Sequence, residues 1–285
     1  FPFKPTDSLN DFLKKSPQNI KDELHDENLT RFFSNDMSNI RNDEYDHFIT
    51  IKFPSSQICK NSTNLISISN FTEKLYMGNY FAICSHEKKI LDSFGVINVV
   101  DFKKHLNREP TFADTSLIGF ASPFTKGITP NKLVSQIGKE MKNSLISKMD
   151  KLEHFGYVIS KEYNQTLPRY EGITTEFTNV GGVHIKKPII DLWMSINIKC
   201  TDRQMVSNMG FSVIRDDFNT YSEKEKENRT VNDMVLRYRY SPRKLSKNES
   251  TKLAKSIYHF LTDIPYESAT VGSAYENDQS FYNSL

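Results

Sequence analysis

Thr129–Gly156 reads TPNKLVSQIGKEMKNSLISKMDKLEHFG and is the longest helical pattern in the chain. The Thr129 hydroxyl can accept a first-turn amide, and Pro130 takes the first helical position, where a missing N–H leaves nothing unsatisfied. On a helical wheel, Leu133, Val134, Ile137, Met141, Leu145, Met149, Leu152 and Phe155 share one half, with Asn143, Asp150 and His154 opposite. Gly156 supplies the stop. A helix of this length runs roughly 40 Å at about 1.5 Å per residue. Gly138 weakens it but admits a close backbone approach, and Lys148 must carry its charge to water along its stem.

Outward from this helix the pattern changes to strands. His47–Phe53 alternates, with Phe48 and Thr50 on one side and Ile49, Ile51 and Phe53 on the other. Residues 64–69 alternate again, and Leu75–Ser85 is apolar enough to be a buried strand or a short helix. Lys88–Phe94 reads as helix, Val96–Asp101 as a buried strand, and Glu109–Thr129 as a long loop. Downstream, residues 157–163, 174–178 and 183–200 read as strands. Trp193 falls in a central one at 189–198, and Gly181-Gly182 marks a turn. Asn219–Asn232 is a charged hairpin tip. Met234–Tyr240 then alternates, and Ser246 with Glu249 forms a capping box ahead of a helix through Leu253, Ile257, Phe260 and Leu261. Three short acidic helices, at 8–15, 17–25 and 27–40, precede all of this.

The order predicts an α+β fold: a mixed sheet packed by one long helix at about 130–155, preceded by a short-helix N-terminal arm and followed by an extended tail. The expected divisions are an acidic arm over 1–45, an α+β domain over 46–264, and an acidic tail over 265–285 that is ordered by a partner.

Composition narrows the class. Mean hydropathy is −0.55, yet 20 Phe and 13 Tyr argue against a wholly disordered chain. No apolar run is long enough to cross a bilayer and no signal peptide is visible. The chain opens at Phe1, which reads as a processed or trimmed end. Three scattered cysteines (Cys59, Cys84 and Cys200) make no disulfide framework and fit a reducing compartment. Six glycosylation sequons, at Asn28, Asn61, Asn70, Asn164, Asn228 and Asn248, exceed chance only mildly in so Asn-rich a chain. Net charge is +2, but residues 1–50 hold six basic against ten acidic side chains, and residues 262–285 hold four acids and no base. A basic body thus lies between acidic ends, a layout that favours charged partners.

No motif names a reaction. The strongest signal is the strand–turn–helix over Arg237–Lys255, with seven basic residues against Glu249. Arginine and tyrosine alternate there, as a surface that contacts phosphates and stacks bases requires, so the candidate nucleic-acid-binding residues are Arg237, Tyr238, Arg239, Arg243, Lys244 and Lys247. Lys186-Lys187 is too small a patch to weigh. Cys84 and His86 lack the second close-spaced pair that a zinc site needs. Asp216-Asp217 are adjacent and so point apart on a strand, and the glycines of Val180-Gly181-Gly182-Val183 lack the spacing and lysine of a phosphate cradle. No catalytic residue, metal or cofactor is therefore assigned.

By elimination, the sequence reads as a non-enzymatic subunit of a large ribonucleoprotein assembly, specifically a mitochondrial ribosomal protein. On this reading RNA and neighbouring proteins are its partners, the matrix is its location, and it has neither a membrane span nor a small-molecule substrate. The rivals are an enzyme with an unrecognised site and a secreted or surface glycoprotein, with a secreted or cytoplasmic location.

Overall fold

A computed structural model describes residues 29–57, 71–101, 115–147, 172–192, 194, 205–265 and 268–285. Its strands are β1 (His47–Pro54), β2 (Ser93–Asp101), β3 (Thr115–Pro123), β4 (Thr174–Ile185), β5 (Met205–Arg215) and β6 (Asn232–Tyr240). They form one sheet in the order β1-β6-β5-β4-β2-β3. β6 is antiparallel to both neighbours and β2 is antiparallel to β3, while β4 runs parallel to β5 and β2. The main helices are α1 (Phe71–Glu87), α2 (Pro130–Ser147), α3 (Lys247–Asp263) and α4 (Val271–Ser284). The mixed sheet with helices is the α+β class that the sequence predicts.

Register decides which residues meet the helices. Ile49 stands opposite Tyr238, Ile51 opposite Leu236 and Phe53 opposite Met234, and these pack in the main core with Val206, Phe177, Val96 and Phe120. The helix at the centre of this core is α1, not the long helix that the sequence favours. Every residue of α1 from Lys74 to His86 is buried. A helix enclosed on all sides needs no polar face, so it carries no amphipathic period; that is why Leu75–Ser85 is ambiguous from sequence.

Two glycines let α1 settle. A Cβ at Gly210 would lie 2.3 Å from Cε1 of Phe71, so the Phe71 ring rests on bare β5 backbone. A Cβ at Gly78 would lie 3.2 Å from Cγ2 of Ile257, which brings α1 close to α3. A polar pin crosses the same layer: Nδ2 of Asn208 donates to Oδ1 of Asn79 at 2.7 Å.

α2 begins at Pro130, as expected, and buries Leu133, Val134 and Ile137. Residues 148–156 of the expected helix lie outside the described residues. The sequence-predicted elements over 8–25, 64–69 and 157–163 do so as well.

Elsewhere the structure differs from expectation. In place of a helix over 27–40, Phe32 forms a bridge with Ile173, followed by a single 3-10 turn at Met37–Asn39. Lys88–Phe94 is not helical: α1 ends at Glu87, Lys88 has a φ of 55° and β2 begins at Ser93. Gly181-Gly182 is no turn but the bulge of the continuous strand β4, with Gly181 at a φ of 84°. Ile189 and Ile190 belong to a non-strand segment after β4. In place of an extended tail, Thr270 caps α4, which buries Val271, Ala274, Tyr275 and Tyr282 in the main core.

Candidate functional site

β6 lies between β1 and β5, so both of its edges are paired. Tyr238 and Tyr240 point into the helical core and are buried. Neither ring is available to stack on a base. Arg237 and Arg239 lie on the opposite face. Nε of Arg239 is 3.5 Å from Oδ2 of Asp46, and the Arg237 guanidinium sits 4.7 Å from the centre of the Phe48 ring. Loss of water around Arg237 pulls its pKa down. Arg243 is exposed and donates from Nε to the Asp43 carbonyl at 2.8 Å. Lys244 is half-buried in the turn, and Lys247 is exposed at the first position of α3. The six residues singled out in the sequence thus divide among core, opposite face, turn and helix end.

Further along that opposite face a charge cluster fixes the segment after β4. Arg215 is fully buried; its guanidinium donates to Asp233 at 2.7 Å, to Asp191 at 3.2 Å and to the carbonyls of Ile190 and Thr230. Lys52 reaches the same two carboxylates. These contacts hold residues 190–192 against the sheet, where Leu192 and Met194 cover Phe211, Val213 and Val235. Four of the five N–H groups of the Arg215 guanidinium meet acceptors, so the cluster is a structural clamp.

The Cys84–His86 pair makes no metal centre. No group of three or more potential ligands gathers among the described residues. Burial pushes the Cys84 thiol up to about 12, which keeps it protonated and unreactive. Both ring nitrogens of His86 are engaged, Nδ1 with the Tyr282 hydroxyl at 2.9 Å and Nε2 with the Phe33 carbonyl at 2.7 Å. His259 is likewise held between Asp263 and Asn277.

One arrangement is suited to moving a proton. His184 stands next to the last residue of β4, and Asp216 follows β5 directly. The parallel pairing of these strands places Nδ1 of His184 2.7 Å from Oδ1 of Asp216. With Nδ1–H donating to the carboxylate, Nε2 carries the lone pair. The His184 side chain is 63% exposed, so that nitrogen is open to a substrate. Asp216 is itself fixed by its N–H, which donates to the Ile185 carbonyl at 3.1 Å. The pair lies at the carboxyl ends of two parallel strands, where ligands of open α/β sheets commonly bind. Asp217 turns away, accepting from the Lys187 N–H. Sequence inspection considers Asp216 only beside Asp217 and passes over His184, because the partners are 32 residues apart and only strand register unites them.

No protein-family model and no curated protein matches the sequence. Solved structures do. The epimerization domain from the third module of tyrocidine synthetase B aligns over 98% of this chain and 62% of its own length, at 10% identity and a TM-score of 0.52. A mutant starter condensation domain of rhizomide synthetase aligns over 93% and 56%, at 8% identity and a TM-score of 0.52. The X-domain solved in complex with OxyB from teicoplanin biosynthesis aligns over 94% and 55%, at 7% identity and a TM-score of 0.50. The chain therefore spans little more than half the length of the domains it matches. Together with the burial of Tyr238 and Tyr240, this likeness overturns the expectation of a non-enzymatic ribonucleoprotein subunit, mitochondrial ribosomal or other, with RNA as its partner. The chain thus shares its fold with part of these condensation and epimerization domains.

Proposed function

We propose that this chain is part of an enzyme that transfers or epimerizes acyl groups carried in activated form. The observation that carries the proposal is the shared fold, which extends over nearly the whole chain in both the condensation and the epimerization domain. The two chemistries have one requirement in common. Condensation takes a proton from the attacking nucleophile, and epimerization takes one from the stereocentre. Each needs a positioned base with a free lone pair. His184 meets that requirement, and Asp216 holds it in the right tautomer.

The test is to offer the full-length protein acyl and aminoacyl thioesters with amine or alcohol acceptors, in deuterated water. Mass spectrometry then reads both a joined product and deuterium at the α-carbon. The expected result is turnover that falls by about 10²–10⁴-fold in His184→Gln, the usual contribution of a general base. Complete inactivity with every substrate would sink the enzyme reading. Unchanged turnover in the variant would remove His184 from the chemistry while leaving that reading intact.

A further inference from the structure

Among the described residues, Arg237 is a cation without a counter-charge. It sits in the middle of β6 on the face away from the helices, between Thr50 of β1 and Met209 of β5. Its Nε is buried with no hydrogen-bond partner, and among the described residues its one named interaction is with the Phe48 ring. The carboxylates of the same face are committed elsewhere. Asp46 pairs with Arg239, Glu176 accepts from the Ser207 hydroxyl at 2.7 Å, and Asp191 and Asp233 serve Arg215 and Lys52. Arg237 is half-buried, and a guanidinium that gives up part of its water with no opposite charge beside it is favoured by anything anionic that completes it.

The surroundings favour a small oxyanion. Phe48 braces the flat guanidinium, and a guanidinium so oriented presents a rigid fork to two oxygens. Arg239, two residues along on the same face, adds a second guanidinium, which lies 3.5 Å from Asp46. Beside the arginines the face turns apolar, with Met209 packed against the Phe211–Val235 cluster. A charged group can therefore lie on the arginines while an apolar part follows the neighbouring cluster.

We propose that Arg237, supported by Arg239, binds the carboxylate or phosphate group of a small amphipathic molecule. This goes beyond the enzymatic reading and does not depend on it, because binding is read without turnover.

The experiment titrates inorganic phosphate, and separately acetate and octanoate, into the full chain at low ionic strength, following arginine Nε–H resonances and thermal stability. Saturable shifts of the Arg237 resonance are expected, together with a raised melting temperature that is absent in Arg237→Met and retained in the surface control Arg243→Met. A preference for phosphate or for carboxylate identifies the group, and tighter binding of octanoate than of acetate supports the apolar contact. Should Arg237→Met fail to fold, Arg237→Lys is used, which keeps the charge but loses the fork and is expected to bind at least tenfold more weakly. No saturable shift with any anion, or equal binding by the Arg237 variant, overturns the proposal.

Discussion

Asp278 on α4 is a carboxyl group placed where water cannot reach it. Burial raises its pKa, although the hydroxyls of Ser256 and Ser85, donating to Oδ2 at 2.6 and 2.7 Å, pull the other way. Oδ1 has no partner. The folded protein therefore holds this proton to higher pH than the unfolded chain, whose carboxyl titrates near its ordinary 3.8. Stabilisation from the protonated form is complete below that value and is lost as pH rises through the folded value. Asp278→Asn keeps an acceptor for the two serines and removes the charge. Urea unfolding should show the wild type losing more stability than the variant as pH rises above about 4. Equal pH profiles would mean that the carboxylate is solvated after all. The same logic applies to Glu73, which burial also raises and whose Oε2 is unpartnered.

At the level of elements, the N-terminus of α3 shows how much a short motif can reveal. Ser246 and Glu249 form the capping box that their spacing predicts, with Oγ of Ser246 accepting from the Glu249 N–H at 3.2 Å. The motif does not disclose that the Glu249 carboxylate also takes the Ser34 hydroxyl and, at 2.6 Å, the Asn35 N–H, tying residues 34–35 to the helix. Glu249→Ala should cost about 1–3 kcal/mol by chemical denaturation, the range for orphaning buried donors. It should also speed proteolysis near residue 35. A loss below 0.5 kcal/mol, about the smallest expected for a cap alone, would mean that the segment is held by other contacts. Caps, prolines and half-exposed patterns were legible because each is local: Pro130, the Ser246 box and the alternation of β1 and β6 all reappear in the fold. α1 was not, since full burial erases its period. The candidate base was not either, since His184 and Asp216 meet through strand register alone. The alternation of β6 puts its arginines and tyrosines on opposite faces, and the cover that α1, α3 and α4 give the tyrosines decides which face meets the core.

For the molecule as a whole, the decisive question is whether residues 271–285 belong to this core or to a partner. The acidic, polar composition of the tail pointed to a partner, yet α4 packs on α1 and α3 and buries Val271, Ala274, Tyr275 and Tyr282 among them. It also brings Asp278 to Ser85 and Ser256, and the Tyr282 hydroxyl to His86, so polar ties from α4 reach both helices. Burying one large apolar side chain contributes about 1.5–3 kcal/mol, and a whole domain is stable by only about 5–15 kcal/mol. Losing Val271, Tyr275 and Tyr282 together therefore removes an amount comparable to the entire net stability. A chain ending at Ala269 should lose cooperative thermal unfolding and bind a hydrophobic dye, with α1 exposed along the side that α4 covers. If the shortened chain instead melts as sharply as the full one, α4 is an appendage, and the segment regains its place as a surface for something else.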